Sequence, residues 1–194
     1  MNTIILDFET SGLNSYHCDV IEIGAKHCES NETFTLLVKP KSDKPISPKI
    51  TEITGITNND LCDAPNWENA YHEFYNWLHE KLFDSQNNYI ISHNGTTFDF
   101  IILKRIFKDI HRDISQYNLQ YIDTLLFSRR LLPIRSYYSQ SSLCRTYNII
   151  EECAHRALAD VICLEKLFNA LVHIYKNSYN KADYNDIINF ISYQ

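Results

Sequence analysis

Residues 4–13 read Ile-Ile-Leu-Asp-Phe-Glu-Thr-Ser-Gly-Leu, and this stretch organises the rest of the chain. Its three leading apolar residues, two of them β-branched, predict a buried strand. Because successive side chains of a strand point to opposite faces, Asp7 and Glu9 point to one side and Phe8 to the other. Ser11-Gly12 then predicts a turn whose backbone can approach a ligand closely. The stretch therefore predicts two carboxylates side by side at the end of a core strand.

Two adjacent carboxylates repel each other and resist removal from water. A divalent cation offsets both effects, and hard oxygen ligands of this kind suit Mg²⁺ or Mn²⁺. The alternative is a strand end that carries two solvated acids without a metal, and the pattern of Asp7 and Glu9 alone does not exclude it. The choice between the two interpretations depends on further acids elsewhere in the chain.

Composition favours one folded domain over residues 1–194. The 194 residues are 44% hydrophobic and 13% aromatic, which is typical of a globular protein and excludes a disordered one. The first residues do not resemble a signal peptide and no apolar run could span a bilayer, so we expect an intracellular, cytoplasmic protein without membrane contact. The net charge of −6 argues against a tight grip on long duplexes, but it leaves room for a short nucleic acid strand.

Hydrophobic periodicity predicts the order of the elements. After the first strand come two strands joined by a polar turn, then strands that alternate with helices, which predicts an α/β fold with a central mixed five-stranded sheet flanked by helices. Thr96 or Thr97 is expected to cap the helix that begins at Phe98, with Asp99 in its first turn. The later strands are predicted over 20–26, 33–38, 89–92 and 119–122, and the main helices over 66–82, 98–107, 123–132, 139–147, 156–175 and 180–194.

Asp160 lies on the apolar stripe of the helix predicted over 156–175. Its neighbours on that stripe include Ala157 and Val161. An unpaired acid in such a position is unfavourable, so Asp160 requires a partner. Asp99 alone is typical of a helix start, and His155, five positions before Asp160, is typical of a surface residue. Together with Asp7 and Glu9, these residues suggest a joint function.

Four segments resemble the motifs of the DEDDh exonucleases, a family with a ribonuclease H-like fold. The similarity covers most of the chain in the family's order, and a histidine five positions before the last aspartate distinguishes this branch from relatives with a tyrosine there. The segments are DFETSGL (7–13), HNGTTFDFIIL (93–103), YIDTLLFSRRLLP (121–133) and HRALADVICLEKLF (155–168).

The resemblance implies a site for two divalent cations, Mg²⁺ or Mn²⁺. Asp7 would bridge both cations, Glu9 and Asp160 would bind the cation on the nucleophile side, and Asp99 would act largely through water on the other. Two cations about 4 Å apart stabilise both the attacking and the leaving oxygen of a phosphodiester. His155 would be the general base, a function that suits an imidazole with a pKa near neutrality.

The resemblance also implies contacts with the last nucleotide. Leu13 would wedge beside the last base, Ile56 would pack on the nucleotide, and Glu9 would meet the 3′-hydroxyl. Turn formation and core packing are the alternative interpretations, and core packing is nearly as good for Phe98. Asp123 matches a strand-end aspartate that we interpret as structural. The predicted substrate contacts are Thr10, Ser11, Gly12, Leu13, Ile56, Asn94 and Phe98.

These residues predict a metal-dependent 3′→5′ exonuclease that releases 5′-mononucleotides from single-stranded nucleic acid, with DNA favoured. One alternative is an RNA-trimming enzyme, because nothing in the residues distinguishes the two sugars. Another is a non-catalytic binding module on the same fold. The segment 180–194 could be accessory and dock on another protein, such as a polymerase in a separate chain. Both monomers and homodimers occur in the family.

Overall fold

A mixed sheet lies at the centre of the protein. The computed structural model describes residues 2–82, 87–150, 156–181 and 183–192, and within these ranges five strands form one sheet. The strands are β1 (Asn2–Thr10), β2 (Val20–His27), β3 (Thr33–Leu37), β4 (Asn88–Ser92) and β5 (Leu119–Asp123).

The strand order is β3-β2-β1-β4-β5, so β1 is the central strand. β1 pairs with β2 and β2 with β3 in antiparallel fashion, whereas β4 runs parallel to β1 and β5 parallel to β4. The predicted α/β fold with a mixed five-stranded sheet is therefore confirmed. The carboxyl ends of β1, β4 and β5 meet at one edge of the sheet. Asp7, Glu9 and Asp99 lie at this edge.

The helices follow the predicted order with shifted ends. The segment after β3 contains two short helices. The second was not predicted from the sequence: it has only five residues and begins at a capping box between Thr57 and Asp60. Within the described ranges, none of the helices has both the length and the apolar character that a bilayer span requires. The helices are α1 (Pro48–Thr54), α2 (Asn58–Cys62), α3 (Trp67–Leu82), α4 (Asp99–Asp109), α5 (Thr124–Leu131), α6 (Gln140–Thr146), α7 (Ala157–Tyr179) and α8 (Tyr184–Ser192), with a 3₁₀ turn at Ile114–Tyr117.

The two faces of the sheet bury separate apolar cores. Ile4 and Phe8 of β1 pack in the core that α3 and α4 cover, whereas Ile5 packs in the core formed with α5, α6, α7 and α8. Asp7 and Glu9 share the parity of Ile5 along the strand, so they point to the face that carries α7. The alternation expected from residues 4–13 is confirmed.

The predicted cap of α4 is wrong. Phe98 is the N-cap residue, and its side chain makes no capping hydrogen bond. The amide of Thr96 instead donates to the Asp123 carboxylate at 2.9 Å, and the hydroxyl of Thr97 donates to the side-chain oxygen of Asn94 at 2.9 Å. The loop before α4 is therefore fixed by a carboxylate at the end of β5 rather than by its own threonines.

Candidate active site

Three carboxylates converge at the end of β1. Asp7 and Glu9 come from the strand, Asp160 comes from the first turn of α7, and one oxygen from each lies within 4.8 Å of the others. All three residues are half-buried. An oxygen-only donor set of this kind fits Mg²⁺ or Mn²⁺, because both cations prefer carboxylate ligands.

Gly24 allows α7 to come this close to the sheet. It lies opposite Asp7 in the β1–β2 register. A Cβ atom at Gly24 would lie 2.4 Å from the backbone carbonyl carbon of Ala157, nearer than any van der Waals contact allows. Any larger residue would push the N-terminal end of α7 away, and Asp160 with it.

Asp99 approaches the same place from the other face of the sheet. Its side chain is buried, with 3% of the residue exposed. One carboxylate oxygen accepts the backbone N–H of Phe8 at 3.2 Å, and the other accepts the hydroxyl of Ser92 at 2.7 Å. Asp99 is outside the three-carboxylate group, but its negative charge contributes to raising the pKa of Asp7.

The electrostatics of the site favour bound protons or a bound cation. Burial, then the charges of Asp99 and Glu9, raises the pKa of Asp7 well above its usual range. Burial and then Asp160 raise the pKa of Glu9 to about 7. Burial also raises the pKa of Asp99 to about 7, against the opposing hydrogen bonds from Ser92 and Phe8. A cation that binds here therefore replaces protons, and its affinity rises with pH.

The predicted general base, His155, lies outside the described residues. The residue that follows it, Arg156, is described: its guanidinium forms an ion pair with Glu22 of β2 at 2.6 Å. Gln140, the first residue of α6, donates from its side chain to the Asp160 carbonyl oxygen at 2.9 Å. No sequence pattern identifies Glu22, Gln140 or Ser92, because each reaches the site only through tertiary packing.

Most of the predicted substrate contacts are at least partly exposed. Leu13 is 89% exposed and Asn94 is also exposed, while Ser11 and Gly12 are half-buried in the turn after β1. Thr10 is buried, and its hydroxyl donates to the Gly12 carbonyl at 2.7 Å. This hydrogen bond fixes the turn that presents Leu13 to solvent.

The two other predicted contacts are less open. Phe98 is half-buried and packs on the core between the sheet and α4. Ile56 is only 2% exposed and packs with Ile21, Ile46 and Leu61. The side chain of Ile56 therefore supports the turn after α1.

Asp123 has the structural environment expected of it. Its carboxylate accepts the amides of Asn94 and Thr96 from the loop before α4, and the amides of Leu125 and Leu126 from the start of α5. With its oxygens bound to these backbone donors, Asp123 joins two loops at the edge of the site and is not one of the three clustered carboxylates.

Comparison with known proteins links this site to exonucleases. Residues 4–168 match the RNase_T family model, which describes exonucleases. The PolC-type DNA polymerase III of Thermotoga maritima is 32% identical over 176 residues, which cover 89% of this chain and 12% of that protein. Its counterpart in Mycoplasma genitalium is 32% identical over 172 residues, 85% of this chain and 11% of that protein. The chain thus spans about an eighth of the length of these relatives.

Solved structures share the fold. E. coli Exonuclease I in complex with a dA16 oligonucleotide superposes with a TM-score of 0.74 at 20% identity, over 97% of this chain and 42% of that one. Exonuclease X in complex with 5′ overhanging duplex DNA gives a TM-score of 0.64 at 22% identity, over 98% of this chain and 99% of that one.

Proposed function

The chain belongs to the exonuclease family, and we propose that it removes nucleotides from the 3′ end of single-stranded DNA by metal-dependent hydrolysis. The observation that carries this proposal is the convergence of Asp7, Glu9 and Asp160 within 4.8 Å, with Asp99 hydrogen-bonded behind them. A binding module has no need for acids that repel one another in this way, whereas phosphodiester hydrolysis uses the cations that such acids attract.

The carboxylates fit two divalent cations by the chemistry of their donors. Asp7, Glu9 and Asp160 would hold them directly, and Asp99 would act largely through water. When bound, Mg²⁺ or Mn²⁺ would stabilise the negative charge on the attacking and leaving oxygens.

In this reaction a water oxygen attacks the terminal phosphorus, and the bond from that phosphorus to the 3′ oxygen of the penultimate nucleotide breaks. The imidazole of His155 takes the proton from the attacking water. The last nucleotide leaves as a 5′-monophosphate, and the shortened strand keeps a 3′-hydroxyl. Leu13, Asn94, Phe98 and the turn Thr10–Gly12 would position the last nucleotide.

DNA is the proposed substrate because of the named relatives. The matched polymerases act on DNA by name, and the solved Exonuclease I carries a DNA oligonucleotide. The same relatives support a DNA polymerase as a protein partner. The single domain over 1–194, the intracellular location, and a monomer or homodimer remain predictions from the sequence.

The direct test is a gel assay with DNA and RNA single strands of matched sequence, each labelled at the 5′ end. We expect a ladder that shortens from the 3′ end with Mg²⁺ or Mn²⁺, faster on DNA, and that disappears with chelator or in Asp7→Asn. Glu165→Gln also replaces a carboxylate by an amide, but away from the site, and serves as the active control.

Three results would change the proposal. Faster shortening of RNA would make the protein a ribonuclease. Release of the labelled nucleotide at the first time point would indicate attack from the 5′ end. A folded protein that binds the strands but shortens neither one in either metal would be a binding module.

A further inference from the structure

Glu22 is a buried acid beside the site that the proposed reaction does not use. It lies on β2 directly opposite Glu9, and only 2% of its side chain is exposed. A fourth carboxylate in this place adds to the repulsion among the acids, so its presence requires a compensating interaction.

That interaction is with the start of α7. One oxygen of Glu22 lies 2.6 Å from the terminal guanidinium nitrogen of Arg156, and the Arg156 Nε lies 3.1 Å from both oxygens. The second oxygen accepts the backbone N–H of Ala157 at 3.0 Å. Both oxygens of Glu22 are therefore engaged by α7.

This contact supplies what the side chain of the N-cap residue Arg156 does not. Arg156 is the N-cap residue of the helix, and its side chain makes no capping hydrogen bond. The first amides of a helix need acceptors, and a negative charge near them is favourable because of the helix dipole. Glu22 of β2 provides both the acceptor and the negative charge, although it lies more than a hundred residues earlier in the chain.

Asp160 depends on this first turn. Its backbone N–H donates to the Arg156 carbonyl at 3.0 Å, so the carboxylate is one helical turn from the capped residue. Helix ends without a cap open locally far more easily than helix interiors do. If the first turn opened, Asp160 would leave Asp7 and Glu9, although the rest of α7 would stay packed on the sheet.

We propose that Glu22, through Arg156 and the Ala157 amide, is a positioning residue that holds Asp160 against Asp7 and Glu9 and thereby completes the metal site. The inference rests on the proposed function, because it assigns Glu22 to the same metal site. It adds a residue that neither touches the substrate nor belongs to the four predicted ligands.

A second ion pair between the same two elements provides a matched control. Lys26 of β2 and Glu165 of α7 lie 2.6 Å apart, farther along both elements. Glu165 lies within the helix, beside the buried Leu164 and Leu167, so apolar packing holds this part of α7 without the ion pair. Glu165→Gln removes an acid of α7 and leaves the cap intact.

The experiment measures Mn²⁺ affinity of the DNA-free protein by electron paramagnetic resonance of free Mn²⁺, together with thermal unfolding. We expect Glu22→Gln to weaken Mn²⁺ binding by roughly 10- to 100-fold, the usual effect of losing a residue that orients a ligand. Arg156→Gln, a change at a half-exposed side chain that the fold tolerates, should weaken it in the same direction. Glu165→Gln should stay within about twofold of the wild type, because it leaves the contact of Glu22 with α7 intact and distant substitutions act independently.

The outcomes separate this inference from the proposed function. Wild-type Mn²⁺ affinity in both Glu22→Gln and Arg156→Gln would overturn the inference alone, as would an equal loss in Glu165→Gln. A wild-type protein that binds no Mn²⁺ would contradict the proposed function and the inference with it. Asp7→Asn should lose Mn²⁺ binding in any case and identifies the site being measured.

Discussion

At one end of β1 and β2 acids face other acids, whereas at the opposite end acids face lysines. We call the first the acidic end, formed by Asp7, Glu9, Asp99 and Asp160. We call the second the paired end, formed by Lys26 with Glu165 and Lys81 with Glu32. Both ion pairs of the paired end are 2.6 Å long, and the Lys81 carbonyl binds Asn2, the first residue of β1.

The difference separates the charges that stabilise the fold from those that serve the proposed reaction. The paired end neutralises its own charges, so it stabilises the fold without help from solution. The acidic end is neutral only when it holds protons or cations, as the raised pKa values of Asp7, Glu9 and Asp99 indicate. Arg156 lies at the acidic end as well, but Glu22 binds it. The protein therefore retains a locally unfavourable arrangement at the end where the proposed reaction requires cations.

The largest effect is expected from Asp7→Asn. Nuclease activity should fall by roughly 1000-fold or more, because the residue is the predicted bridge between two cations that each stabilise the transition state. The same change should raise the thermal unfolding midpoint of the metal-free protein at pH 8, because it removes one of the repelling charges.

The two readouts of Asp7→Asn are single-turnover cleavage of a DNA single strand and calorimetry in chelator. Loss of activity together with a lower unfolding midpoint would mean that Asp7 stabilises the fold, and the contrast between the two ends would not hold.

His155→Ala is expected to lower the rate of cleavage by about 100- to 10,000-fold, the usual range for a general base. Binding of Mn²⁺ should be unchanged, because the residue is not one of the predicted ligands. The measurement is the rate against pH with saturating metal: the wild-type rate should rise through the pKa of an imidazole, and the variant should lose this dependence. A variant with the wild-type pH profile would exclude His155 as the base.

The stability of the metal-free protein should fall as pH rises from about 5 to 8. The pKa of Glu9 rises from its usual 4.5 to about 7 on folding, so the folded state binds more protons than the unfolded state between these values. Stability is therefore highest at pH values below the pKa that Glu9 has in the unfolded state. It falls as the pH rises through the pKa that Glu9 has in the folded state, by an amount on the order of 1–3 kcal/mol. Urea unfolding in chelator at several pH values measures this.

The control for this pH dependence is the same titration with Mg²⁺ present. We expect the cation to replace the protons and to remove most of the slope, because it binds the ionised carboxylates of the folded state. Stability that rises with pH in chelator would contradict the electrostatic picture of the acidic end.

Local patterns in the sequence predicted the part of the site that lies on regular elements. Asp7 and Glu9 follow from strand alternation, and Asp160 follows from its place on an apolar helical stripe. The partners Ser92, Gln140 and Glu22 carry no such signal, because each meets its contact through the packing of elements distant in sequence.

Errors in the sequence analysis have the same origin. Thr96 and Thr97 are reasonable caps by residue type, but the Asp123 carboxylate of another strand binds this loop instead. Short helix α2 has too few residues to show a hydrophobic period. Residue type and spacing give the elements, and tertiary partners decide their ends.

The smallest effect is expected at the paired end, from Glu165→Gln. Both side chains of the ion pair are partly exposed, 13% for Lys26 and 20% for Glu165. Loss of the ion pair should lower the free energy of unfolding by about 1 kcal/mol or less, because solvent screens a pair that is partly exposed. Nuclease activity should stay within about twofold of the wild type at every pH, and the slope of stability against pH should keep the wild-type sign. Urea unfolding and the same cleavage assay test both statements. A loss of activity as large as that of Asp7→Asn would mean that charge at the paired end also serves the reaction, because the two ends would then respond alike to the removal of one carboxylate.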